Sequence, residues 1–314
     1  MDCTRISPEC PIEETIYGYY PNLAANAAFA AFFGVFMIVN IFFGIRYRSW
    51  TFLIAMTFGC MGEMVGYIGR ILLNDDPFGE GGFNMQIICL TLAPAFIAAG
   101  IYLTLKHVVI CFGKEHSYLK PRYYTWLFIT CDLVSLTLQG AGGGIAATTT
   151  NGSSEQAVGN DLMMAGICFQ VVTLVAFAIM AGLYYFKLSR SGVPLSPSAQ
   201  AVKNSTGFKL FLGGFLLAFF TMFIRCVYRI AEMAGGWGNS IMQNELDFIV
   251  LDSVMITVSV LAMTIFHPGY CFPQMVSQAK RSRLSDIEKK TSSETSVEET
   301  SQPAKQSRFG GWRS

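Results

Sequence analysis

Charge is scarce in this chain: Asp, Glu, Lys and Arg make up 14% of 314 residues, and there are three histidines. A chain that is 52% hydrophobic cannot cover a water-soluble core with so little polar surface, which excludes an ordinary soluble globular domain. His107 and His267 fall near the ends of apolar runs and His116 lies between two of them, too few and too scattered for an intramembrane haem relay or zinc hydrolase. The glycine run Gly140–Gly144 lacks the Lys-Ser or Lys-Thr of a phosphate-binding loop. Neither a Gly-x-Ser-x-Gly element nor a Cys/His nucleophile arrangement occurs. The expectation is a protein that is not an enzyme, with no resident cofactor, no metal and no nucleic-acid partner. Met1–Tyr20 also lacks the basic start and apolar core of a cleavable signal peptide, so the first helix itself is expected to direct insertion.

What the chain has instead is seven long apolar stretches, at roughly Pro21–Ile45, Trp50–Leu73, Met85–Phe112, Tyr124–Ala147, Gly159–Phe186, Phe208–Ala234 and Phe248–Phe266. Each is near or above the ~20 residues that a helix rising about 1.5 Å per residue needs to cross a ~30 Å hydrocarbon layer. The expected fold is an all-α, polytopic integral membrane protein, a seven-transmembrane helix bundle with a disordered cytosolic C-terminal tail. The cations set its orientation. Of 22 Lys and Arg, two lie in the first loop, four around the third, four flank the fifth and eight lie beyond Phe266, whereas only Arg5 falls on the opposite side. Asp75, Asp76, Glu80, Glu155 and Glu245 occupy the opposite loops. The positive-inside rule then puts the N-terminus outside and the C-terminus in the cytosol.

The chain divides into an extracellular segment 1–20, a seven-helix domain 21–269 and a cytosolic tail 270–314. From about Ser277 the tail is rich in Ser, Thr, Lys, Glu and Gln, a composition that cannot repay the entropy of folding. Its Lys280-Arg281-Ser282-Arg283-Leu284-Ser285 stretch faces the anionic inner leaflet, where serine phosphorylation would weaken the attraction. Cys3 and Cys10 are placed to close a small loop on the oxidising side, and Cys271 is a palmitoylation candidate. Asn151, in an outer loop, is the glycosylation candidate; the Asn204 sequon is on the cytosolic side.

The three remaining arginines and four acids lie inside helices, where each costs at least ~2.5–3.5 kcal/mol unless it meets a partner or water. In the second helix Glu63, Tyr67 and Arg70 share one face, beside a stripe formed by Gly59, Gly62, Gly66 and Gly69 on which a neighbour can pack closely. In the fourth, Asp132, Ser135 and Gln139 repeat the spacing and run into Gly140 and Gly142–Gly144, which are expected to loosen the outer end of that helix. The fifth supplies Gln170, the sixth Arg225, Arg229 and Glu232 with Tyr228 adjacent, and the seventh Asp252. Pro94 in the third helix frees the carbonyl of Leu90 and is expected to kink it. Arg225 and Arg229, one turn apart, need acids from other helices, Glu63, Asp132 or Asp252. Buried ion pairs that fix helix order would account for any one of these groups. As a set, four acids against three arginines leave one carboxylate to hold a proton or meet a cation from outside, such as the amine of an amphipathic substrate.

Seven elements, in order along the chain, resemble one known group. They are Glu63-x-x-Gly66-Tyr67-x-x-Arg70, Leu92-Ala93-Pro94-Ala95-Phe96, Asp132-x-x-Ser135-x-x-x-Gln139-x-x-Gly142-Gly143, Gly166-x-x-x-Gln170, Arg225-x-x-Tyr228-Arg229-x-x-Glu232-x-x-Gly235, Glu245 followed by Asp252, and His267-Pro268-Gly269. From about Tyr17 to Gly269 the chain resembles the fungal lipid-translocating exporter, or RTA-like, family of seven-helix proteins; Phe248 stands where a tyrosine is expected. The resemblance implies a plasma-membrane protein that moves amphipathic lipids such as sphingoid long-chain bases, or toxic lipid-like compounds, and so confers resistance. It leaves open the alternative of a seven-helix receptor or sensor of lipid state that regulates other transporters. Glu63, Tyr67, Arg70, Asp132, Gln139, Gln170, Arg225, Arg229, Glu232 and Asp252 are the expected substrate-binding and translocation residues.

Overall fold

The computed structural model describes residues 7–8, 10–112, 121–149, 153–190, 200, 205–236 and 238–271. The expected tail from Ser277 and the two sequon asparagines lie outside the described residues. Seven long helices form the bundle: α1 (Leu23–Arg46), α2 (Trp50–Asp75), α3 (Glu80–Phe112), α4 (Pro121–Thr148), α5 (Ser154–Arg190), α6 (Thr206–Ala234) and α7 (Glu245–Ile265). A short α8 (Pro268–Cys271) follows. Six of the seven are long and apolar enough to cross a membrane; α4, which carries Asp132, Ser135, Gln139 and the glycine run, is not among these six.

Helix ends agree with the hydropathy reading except where polar turns extend a helix past its apolar stretch. α3 begins at Glu80 and α5 runs from Ser154 to Arg190, because backbone hydrogen bonding continues after apolarity stops. Successive helices pack side by side, α7 returns to α1 and α6, and α3 sits at the centre, touching α2, α4, α6 and α7. The N-terminus of α1 meets the C-terminus of α2 and the start of α7. Asn22 N donates to Glu245 Oε1 (2.6 Å) and Asn74 Nδ2 donates to Pro21 O (2.8 Å). A core of Phe33, Phe52, Met56, Ile97, Tyr102 and Phe177, with further aromatic and aliphatic side chains, fills the centre.

Glycines set the closest helix pairs. A Cβ on Gly69 of α2 would lie 2.8 Å from Gln86 N and 2.9 Å from Gly82 O, so α2 and α3 touch backbone to backbone. In the α4 run Gly142 does the same against α5, and the run does not end the helix, which continues to Thr148. A Cβ on Gly142 would meet Gly159 O and Met163 N at 2.5 Å, a contact that holds the α4 backbone in register where glycine's freedom alone would have released it. Gly142→Ala must push α4 and α5 apart. It is expected to cost about 1–3 kcal/mol, as overpacking does, read as a lower unfolding temperature of the purified protein.

The end of the bundle opposite Asn22 is closed by His267. Its Nδ1 accepts from Gly269 N (3.0 Å), its Nε2 lies 3.5 Å from Ser49 Oγ, and the ring is packed edge-on against Phe52. Burial lowers the imidazole from 6.5 to about 4. The unfolded chain therefore takes up the proton first, so this contribution to stability is complete above pH 6.5 and is lost as pH falls towards about 4. Unfolding midpoints of wild type and His267→Asn should converge over that window; parallel curves would contradict it.

Candidate functional site

Polar side chains from all seven long helices and the segment before α1 meet in layers. The outermost surrounds Arg70 of α2. Its Nε donates to Asn26 Oδ1 (3.1 Å), its Nη1 to Gln86 Oε1 (3.5 Å) and its Nη2 to Tyr19 Oη (3.0 Å), with Glu245 Oε1 3.8 Å away. The guanidinium also stacks over Phe248 (4.0 Å to the ring centre) and Tyr17 (5.3 Å). Gln86 Nε2 donates to the Tyr17 hydroxyl. Burial raises the Tyr19 phenol above its ordinary value although Arg70 pulls the other way, so Tyr19 serves as a neutral acceptor. The segment before α1 thus caps this end of the bundle and satisfies a fully buried arginine.

The middle layer is a charge bridge. Asp252 Oδ1 lies 3.1 Å from Arg225 Nε and 2.9 Å from Arg229 Nε. Both contacts are ion pairs; the Asp252 oxygens and Arg225 Nε have no aligned hydrogen bond. Arg229 Nη1 donates to Glu232 Oε2 (2.6 Å). Asp252 stands in a π-helical turn, Phe248–Val254, whose extra residue per turn widens α7 where the two arginines reach it. Arg225 has a second task. Pro94 has no N–H to give the Leu90 carbonyl, and Arg225 Nη2 donates to that carbonyl instead (2.7 Å) while α3 continues as one helix through Pro94.

The arginines accordingly engage Asp252, Glu232 and Glu245, and among the described residues two acids rather than one are left without a cation. Glu63 and Asp132 are buried, and none of their four carboxylate oxygens has a hydrogen-bond partner. Tyr102 is the polar group interacting with Asp132, without closing an aligned hydrogen bond. Tyr67, packed flat on Phe33, lies within charge range of Glu63 and Asp252.

A cavity of about 240 Å³ opens between α3, α4, α5 and α6. Gln139, Gln170, Arg225 and Arg229 line one wall; Ile87, Leu136, Met163 and Ile167 make the apolar remainder. Gln139 Nε2 donates to Ser135 Oγ (2.8 Å) and Gln170 Oε1 (3.2 Å). This leaves Gln139 Oε1 and Gln170 Nε2, one acceptor and one donor, for a ligand. Asn84, Ile88, Leu92, Gly140 and Gly144 are the exposed part of the lining and mark a mouth between α3 and α4.

Of the expected site residues, Gln139, Gln170, Arg225 and Arg229 line the cavity. Asp252 and Glu232 hold the two arginines from behind. Glu63, Tyr67 and Asp132 lie deeper, and Arg70 belongs to the capped end. Among the described residues no carboxylate lines the cavity. The sequence reading did not single out Asn26, Gln86, Tyr17, Tyr19, Tyr102 or Ser253. The available signal was that Asn26 and Gln86 are amides in otherwise apolar stretches, which need partners for the same reason charges do.

An all-helical bundle with apolar outer faces and a paired polar interior defines an integral membrane protein. Residues 56–275 match the family described as RTA1 like protein, and the chain belongs to that family. It is 28% identical over 284 residues to the sphingoid long-chain base transporter RSB1 of Saccharomyces cerevisiae, covering 81% of this chain and 74% of the relative. It is 31% identical over 223 residues to Protein RTM1 of Saccharomyces cerevisiae (70% and 67%). It is 29% identical over 216 residues to protoporphyrin uptake protein 1 of the same organism (66% and 65%).

Proposed function

We propose that this protein is a lipid translocator: all seven helices, α4 included, span the plasma membrane, and the cavity between α3 and α6 takes the headgroup of an amphipathic lipid while its tail stays in the bilayer. The observation that carries the reading is the lining of that cavity, with Gln139, Gln170, Arg225 and Arg229 for a headgroup and the exposed apolar Ile88 and Leu92 at its mouth, where a tail would leave for the bilayer. In a headgroup bearing hydroxyls and an amine, Gln139 Oε1 can accept from the amine or a hydroxyl, while Gln170 Nε2, Arg225 and Arg229 can donate to hydroxyl oxygens only, so the amine sits on the glutamine side away from the arginines. Sphingoid long-chain bases have this chemistry, and the similarity to a transporter of such bases supports the choice. Export of these or of toxic lipid-like compounds would confer resistance.

Glu63 and Asp132 lie behind the cavity wall, so they serve transport by moving charge rather than by holding the substrate at rest. The N-terminus is outside and the C-terminal tail cytosolic, following the cation distribution. Reaching a tail epitope on intact, unpermeabilised cells would overturn that orientation. Function is tested with purified protein in liposomes carrying a fluorescent long-chain base: movement between leaflets is expected, above that of protein-free vesicles. No movement, together with lost lipid export in cells lacking the protein, would put a lipid-state sensor acting on other transporters in its place.

A further inference from the structure

We propose that Glu63, Tyr67 and Ser253, beside Asp252, form a buried site for one monovalent cation, a proton or a sodium ion, exchanged in step with movements of Arg225. The first observation is a set of oxygens with nothing to bind. Both Glu63 carboxylate oxygens, the Tyr67 hydroxyl and the Ser253 hydroxyl are buried and unpartnered, and all three residues are fully inaccessible. The Tyr67 hydroxyl is turned towards Ser253 without closing an aligned hydrogen bond. Among the described residues these four oxygens have no hydrogen-bond partner, and burying four costs several times what one would unless something is shared among them.

The second observation is the backbone. Ser253 and Asp252 both sit on the π-helical turn, and such turns, like broken membrane helices, place side chains and backbone where ions bind. Charge counting gives the stoichiometry. Arg225 and Arg229 are balanced by Asp252 and Glu232, Arg70 by Glu245, and Glu63 is one negative charge in excess at this locus. Two carboxylates and two hydroxyls suit a proton or a hard monovalent ion. Among the described residues no group of three His, Cys, Asp or Glu is placed to hold a transition metal.

The groups that act on Glu63 are Arg225 and Arg229 from α6, Asp252 from α7, Cys89 from α3, and Cys60 and Tyr67 from its own helix. Arg225 is the strongest attractive partner, yet its guanidinium is committed to Asp252 and the Leu90 carbonyl. With a cation on Glu63 that commitment stands. With Glu63 bare, Arg225 is drawn away from the cavity wall and from Leu90, which changes the wall the substrate meets. This deepens the transport reading by naming its coupling ion, but the binding itself needs no transport.

The test is thermal unfolding of the purified full-length protein, without added lipid substrate, in sodium, potassium or choline chloride at equal ionic strength and between about pH 5 and pH 8. A sodium site raises the midpoint by about 3 °C or more in sodium over choline. A proton site raises it as pH falls, whatever the salt. Either gain should vanish in Glu63→Gln, whose amide imitates the neutral acid, and shrink several-fold in Ser253→Ala, which keeps the proposal testable should the first variant not fold. Subtracting the variant from wild type removes His267, whose contribution has the opposite sign. A wild type indifferent to both sodium and pH at this site, or a gain retained in both variants, overturns the proposal and leaves the lipid-movement assay unaffected.

Discussion

Asp252→Asn is expected to cost the folded protein about 3–5 kcal/mol, because it removes the anion between Arg225 and Arg229, stranding the buried Arg225 and leaving Arg229 with Glu232 alone. The loss should appear as a collapse in detergent-stable yield and a large drop in unfolding temperature. Truncating Arg229 at the same time should recover part of the loss, since the second change removes a cation that has lost one of its two acids and repels Arg225 one turn away. The cycle is sharpest for that pair because Arg229 Nε lies 2.9 Å from Asp252 Oδ1. Strictly additive losses would mean that Asp252 and the arginines act independently, with the guanidiniums meeting lipid headgroups or water instead.

Glu63→Gln is expected to leave the bundle folded and to abolish lipid movement in liposomes. The amide keeps the shape of a protonated carboxylic acid, so no packing is lost at a site where Glu63 touches no cation directly. What it removes is the ability to be bare, and with it the pull on Arg225. Asp132→Gln would alter side-chain length as well as charge, so Asp132→Asn is the matched variant there, and it is expected to slow movement for the same reason. By contrast Glu232, bonded to Arg229 at 2.6 Å, is structural, and Glu232→Gln should lower stability before it lowers rate. Wild-type transport by Glu63→Gln would remove the coupling role altogether.

The seven helices and the choice of Glu63, Asp132, Arg225, Arg229 and Asp252 as one interior were legible because a membrane span must be apolar and every exception must be answered. Which acid answers which arginine was not legible. Counting four acids against three arginines assumes one partner each, and Asp252 takes two while Arg70 finds Glu245, which the hydropathy reading left in a loop and which begins α7. The π-helical turn that lets Asp252 reach both leaves no mark in hydropathy, since one extra residue in a turn changes geometry without changing composition. Pro94 was legible as a residue that frees Leu90 O, but its answer came from 135 positions away, in Arg225. The glycines of α4 read as a weak helix end because glycine permits both looseness and contact. Only the position of Gly159 on α5 decides for contact.

Movement of a fluorescent long-chain base across liposomes containing wild type or Gly140→Phe tests the claim that the α3–α6 cavity is the lipid site. Gly140 lines that cavity and has open space around the position of a Cβ, so an aromatic ring there can fill the mouth without displacing the backbone. The account predicts movement by wild type and its loss in the filled variant, with both proteins unfolding at similar temperatures. Equal rates for the two would contradict it.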